Sequence, residues 1–82
     1  MKKSIHSNEH EQLRILLKSV RENANLTQTQ LSEKLNKPQS FVSKYESGER
    51  RLDLIEIAAI CSAIGLSLTD FVGKFEAETM KP

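Results

Sequence analysis

Apolar residues recur along the chain at intervals of three and four, and no stretch alternates apolar with polar residues for long enough to make a strand. The pattern predicts an all-α fold of five short helices. The first begins near Asn8, where Asn8 and Glu11 have capping-box spacing, and carries Leu13, Leu16, Leu17 and Val20 inward to about Asn23. Thr27 and Gln30 repeat that spacing for a second, barely two-turn helix with Leu31 and Leu35 inward, stopped by Asn36. A third runs from Pro38 to about Glu46, ahead of Ser47-Gly48. Asp53 and Glu56 open a fourth, whose expected inward face is Leu54, Ile57, Ala58, Cys61 and Ile64, with Gly65 as its stop. Ser67 and Asp70 open a fifth, with Leu68, Phe71, Val72 and Phe75 on one side before the chain frays into EAETMKP.

These signals delimit one domain over 8–78, between a polar, basic tail at 1–7 and a short C-terminal tail at 79–82. Composition adds little to that picture. The longest apolar run, Ile57 to Cys61, is far below the roughly 20 residues of a membrane span, and MKKSIHSNEH has no apolar core of a signal peptide, so a cytoplasmic protein without a membrane partner is expected. Cys61 is the single cysteine and sits in an apolar helical pattern, so it reads as a packed core thiol. Net charge is only +1, but residues 1–51 carry ten Lys and Arg against six Glu, while 52–82 carry two Lys against five Asp and Glu. Such polarity would orient the molecule towards a polyanion.

The chemistry concentrates in KPQSFVSKYESGER, Lys37 to Arg50. At about 100° per residue, Val42 and Tyr45 share one side of this helix, and Ser40, Ser43 and Lys44 the other, with Gln39 leading in. The polar side has no acidic residue at its centre. The major groove of B-DNA is about 12 Å wide and accepts a helix; Gln is suited to adenine, Lys to guanine, and Ser permits close approach. Two short helices joined by a tight turn, with the second so patterned, form a helix-turn-helix.

The stretch LTQTQLSEKLNKPQSFVSKYESGER, continuing through LIEIAAICSAIGLSLTDFV, resembles the phage Cro and repressor (XRE) helix-turn-helix family over about Leu13 to Val72. Its pattern there is approximately L-T-Q-x-x-L-[AS]-x-x-[LV]-G followed by Q-S-x-[VI]-S-x-[YWI]-E-x-G. The resemblance implies a five-helix lambda-repressor-like domain in which helices two and three form the helix-turn-helix. It implies that Gln39, Ser40, Ser43 and Lys44 approach bases or flanking phosphates in the groove, and that Thr27, Gln28, Lys37, Ser47, Arg50 and Arg51 contact phosphates. Gln28 is also expected to brace Gln39. Arg21 and Glu46 match the family's partly buried structural salt bridge.

Three positions depart from the family pattern. Asn36 replaces a glycine, which is tolerable because Asn visits the left-handed region. Pro38 stands where a Ser or Thr cap is common. Phe41 borders the inward side, where it either covers the core edge or touches a thymine methyl.

No feature points to catalysis, a metal or a cofactor. His6 and His10 are four apart but lack a third ligand, Glu9 and Glu11 suit a helix N-terminus, and no glycine-rich loop exists to cradle phosphate. The expected function is a transcriptional regulator binding double-stranded DNA, and the resemblance implies a homodimeric repressor, joined through its C-terminal helices, on a palindromic site. Ile55, Phe71 and Phe75 are the interface candidates. The alternative is an antitoxin or adaptor that uses the same fold to bind a protein partner.

Overall fold

The computed structural model describes residues 8–79 and consists there of α1 (Asn8–Asn23), α2 (Gln28–Lys34), α3 (Ser40–Ser47), α4 (Leu54–Ile64) and α5 (Leu68–Thr79). The expected basic tail, with His6, lies outside the described residues, as does most of the C-terminal tail.

Local sequence explains most boundaries. Thr27 and Gln30 form a complete capping box: the Gln30 N–H donates to Thr27 Oγ1 at 3.0 Å and the Thr27 N–H to Gln30 Oε1 at 2.9 Å. Asp53 and Glu56 form another at 2.7 and 2.9 Å. The Asp70 N–H donates to Ser67 Oγ at 3.0 Å ahead of α5. At the other ends, Asn25, Asn36, Gly48 and Gly65 follow α1 to α4 with positive φ, so the chain reverses through the left-handed region while late carbonyls receive N–H groups from beyond the helix. Gly48 has a second reason to be glycine, because a Cβ there would lie 3.3 Å from Arg14 Nε.

Helix α3 begins later than the proline predicts. Pro38 starts only a single turn, closed by the Phe41 N–H to the Pro38 carbonyl at 2.9 Å, and Gln39 adopts helical angles without capping by its side chain; regular helix starts at Ser40. Helix α1 includes Asn8 as its first residue, and α5 continues through Glu76 to Thr79, where the expectation was fraying. The Thr79 hydroxyl donates to the Phe75 carbonyl at 2.8 Å.

The core joins Leu17 and Val20 of α1, Leu31 of α2, Phe41, Val42 and Tyr45 of α3, Ile60 and Cys61 of α4 and Phe71 of α5. Helix α4 is rotated from its expected setting. Leu54 is exposed, Ala58 is half-buried, and Ile60 joins Ile57, Cys61 and Ile64 on the inner stripe. The helix is apolar almost all round, Glu56 being its one charged residue, so periodicity alone does not fix which side packs. Val72 is likewise exposed, one step around α5 from buried Phe71. Among the described residues no single helix is long and apolar enough to cross a membrane.

Tyr45 is buried, yet its hydroxyl has no hydrogen-bond partner among the described residues, and desolvation pushes its pKa up. An unsatisfied buried hydroxyl costs about 1–3 kcal/mol, so Tyr45→Phe is expected to hold or raise the chemical-denaturation midpoint. A loss above about 1 kcal/mol would mean that the hydroxyl is satisfied in solution.

Candidate nucleic-acid interface

Helices α2 and α3 are locked together by a buried serine. Ser32 Oγ donates to the Gln39 carbonyl and accepts the Val42 N–H, both at 3.3 Å, so one side chain of α2 satisfies two backbone groups at the start of α3. The sequence reading passed over Ser32. Its signal was a small polar residue one step after an inward leucine, which is equally common on a solvated face.

The back of α3 is fixed by Val42 and Tyr45, which leaves Gln39, Ser40 and Lys44 exposed and Ser43 half-buried on the other side. The Ser43 hydroxyl donates to the Ser40 carbonyl and that of Ser47 to the Lys44 carbonyl, each at 3.0 Å. The Ser47 oxygen also accepts the Glu49 N–H at 3.4 Å. Gln39 Nε2 donates to Thr29 Oγ1 at 3.3 Å, so the brace on Gln39 comes from Thr29.

Gln28 does not perform that role. Its amide turns inward and donates to Glu46 Oε1 at 2.9 Å. The Glu46 carboxylate also receives Arg21 Nε at 2.8 Å and Nη2 at 3.1 Å, while Arg21 Nη1 reaches the Leu26 carbonyl at 2.7 Å. The two charged side chains are 8% and 4% exposed. The carboxylate hydrogen bond is the main cause that raises the Arg21 pKa, against desolvation. A partner the sequence did not disclose is Arg14, whose Nη1 donates to the Glu46 carbonyl at 3.2 Å and brings a cation to the C-terminal end of α3.

Around this face, Thr27 is exposed at the N-terminus of α2 with its hydroxyl accepting the cap bond, and Lys37, Ser47 and Arg51 are exposed at its margins. Arg50 is turned aside. Its guanidinium lies 5.0 Å from the Phe41 ring centroid and makes a two-pronged pair with Glu56, at 3.2 and 2.8 Å. The hydrogen bond from Arg50 is the first cause holding the Glu56 carboxyl below its ordinary pKa. Phe41 is 7% exposed and meets Tyr45 edge to face at 5.5 Å, so it covers the core edge and has little ring surface for a thymine methyl.

Of the expected dimer residues, Ile55 is 79% exposed, Phe75 is half-buried, and Phe71 is 2% exposed. Phe71 therefore belongs to the core of one chain and has no surface to offer a second.

The helix-turn-helix sequence family matches residues 17–71. An XRE-family like protein from Pseudomonas syringae pv. tomato str. DC3000 is 44% identical over 92% of each chain, with a TM-score of 0.83. This chain belongs to the XRE helix-turn-helix family. The same all-α fold recurs at 25% identity in the clp gene regulator ClgR from C. glutamicum, covering 92% of this chain and 95% of that one at a TM-score of 0.76. It recurs at 22% identity in the restriction-modification controller protein C.Esp1396I, as a tetramer with its natural operator, over 93% of this chain and all of that one at 0.82. No curated protein matches the sequence. Within the XRE family pattern, Ser32 occupies the small-residue position after the leucine of α2, and Asn36 replaces the turn glycine with φ 56°.

Proposed function

We propose that this XRE-family protein is a sequence-specific, double-stranded-DNA-binding transcriptional regulator that acts in the cytoplasm without catalysing a reaction. The observation that carries this reading is the back-docked helix α3, which leaves Gln39, Ser40, Ser43 and Lys44 on a surface without a carboxylate at its centre. Inserted in a major groove, Gln39 and Lys44 read base edges while the two serines allow the helix to approach. Thr27 and the first N–H groups of α2, with Lys37, Ser47 and Arg51, hold the phosphates on either side.

The protein is read here as a homodimeric repressor on a palindromic operator. Helix α4 supports a second chain, since Leu54 and Ile55 are exposed beside Ala58 and Ala59 on a side with no charge of its own. Two copies related by a twofold axis would set their α3 helices about 34 Å apart, one turn of duplex. The same apolar side favours the second reading, an antitoxin or adaptor that binds a different protein.

Selection of bound duplexes from a random pool tests both. Enrichment of a symmetric site, with affinity over mixed duplex that persists as salt rises, supports the regulator. No binding to any duplex at low salt would leave the adaptor. Lys44→Ala and Gln39→Ala are each expected to weaken binding to the selected site by about 1–3 kcal/mol and to relax base preference at one position per half-site. Fluorescence anisotropy with single-base variants of the site provides the measurement.

A further inference from the structure

Arg50 opens the basic pair that follows α3, and its side chain, though 41% exposed, is tied back within the chain. Nη1 and Nη2 grip the two carboxylate oxygens of Glu56, Nη1 also donates to the Arg51 carbonyl at 3.0 Å, and one face of the guanidinium is directed at the Phe41 ring. The Lys37 ammonium lies 5.4 Å from the centroid of the same ring. The α2–α3 turn, α3 and the loop after it therefore meet at one aromatic side chain, and Arg50 ties the first turn of α4 to them. Glu56 serves twice here, because its Oε1 also accepts the Asp53 N–H that completes the cap of α4.

The edge of the guanidinium formed by Nη1 and Nη2 is committed to Glu56, and turning that edge to a phosphate would surrender a two-pronged ionic contact and the ring together. The loop it spans is short and otherwise tied to α3 mainly by the Glu49 and Arg50 N–H groups on the Lys44 carbonyl, at 2.9 and 3.2 Å. We propose that Arg50 is a positioning residue, clamped between Phe41 and Glu56 to fix the loop against the recognition helix. This rests on the DNA reading above, and it gives Phe41, a departure from the XRE pattern, a function as the clamp's inner jaw.

The test uses the full chain and two duplexes, the site selected by wild type and a mixed-sequence control, titrated across salt concentrations. A residue that neutralises one phosphate contributes about 0.9 to the slope of log affinity against log salt. Arg51→Ala is expected to make the slope shallower by about that amount. Arg50→Ala and Glu56→Gln are expected to weaken binding to the selected site severalfold with the slope unchanged; the glutamine keeps the cap of α4, so folding is preserved. A shallower slope in Arg50→Ala, or tighter binding in Glu56→Gln as a competing carboxylate is removed, would overturn the proposal.

Amide hydrogen exchange separates the clamp from the DNA reading. Exchange at the Glu49 N–H should accelerate severalfold in both variants without DNA. If wild type bound neither duplex, the DNA reading would fail on its own, and the clamp would stand or fall on that acceleration.

Discussion

Glu46→Ala is expected to lower stability by about 3–5 kcal/mol, because it leaves the Arg21 guanidinium buried without its counter-charge. The Gln28 amide loses its acceptor in the same step. For a domain of this size each kcal/mol shifts the melting temperature by roughly 4–8 °C, so thermal unfolding by circular dichroism reads the effect directly. Arg21 keeps its bond to the Leu26 carbonyl, which does not neutralise charge. The figure measures the cost of isolating one ion, rather than the net worth of the pair, and an apolar replacement of the pair would cost less. Glu46 points away from the exposed side of α3, so affinity for DNA well below the transition should change little. A variant that melted with wild type would show that water reaches Arg21 and that the α1–α3 linkage is looser than the geometry requires.

Phe71→Ala is the second large effect, an expected loss of about 3–5 kcal/mol from a cavity where α5 meets the core. Its diagnostic feature is independence from protein concentration, since Phe71 is interior to a single chain. Ile55→Glu should behave in the opposite way. Its side chain is exposed, so stability of the monomer should stay within about 0.5 kcal/mol of wild type, while sedimentation shows loss of the dimer. If Phe71→Ala destabilised only at low concentration, the residue would belong to an interface after all. If Ile55→Glu left the sedimentation coefficient unchanged, the second copy would not dock on α4.

The capping boxes at Thr27 and Asp53 were legible because both partners of each lie three residues apart and the geometry is local. The left-handed stops at Asn36 and Gly65 followed from the few residue types that tolerate positive φ. The setting of α4 was legible only in part, with Ile57, Cys61 and Ile64 inward as expected. A helix with one charged residue gives nearly the same pattern at several rotations, so Leu54 was assigned inward and Ile60 overlooked. Gln28 differs from expectation for another reason: its amide donates to the Glu46 carboxylate, already held by Arg21, and a charged acceptor makes the stronger bond.

What the amino-acid sequence determined alone is the set of five helices, the capping boxes of α2 and α4, and the division of α3 into an apolar back and a polar front, since each depends on contacts within about one turn. What only the tertiary structure decided is which polar groups are free to meet a ligand. Arg50, Gln28 and Ser32 look alike as surface residues on paper, but partners ten or more positions away engage Gln28 and Ser32, and Arg50 is held from α3 and α4. Side-chain hydrogen bonds of that kind depend on distance in space, which residue spacing along the chain does not encode.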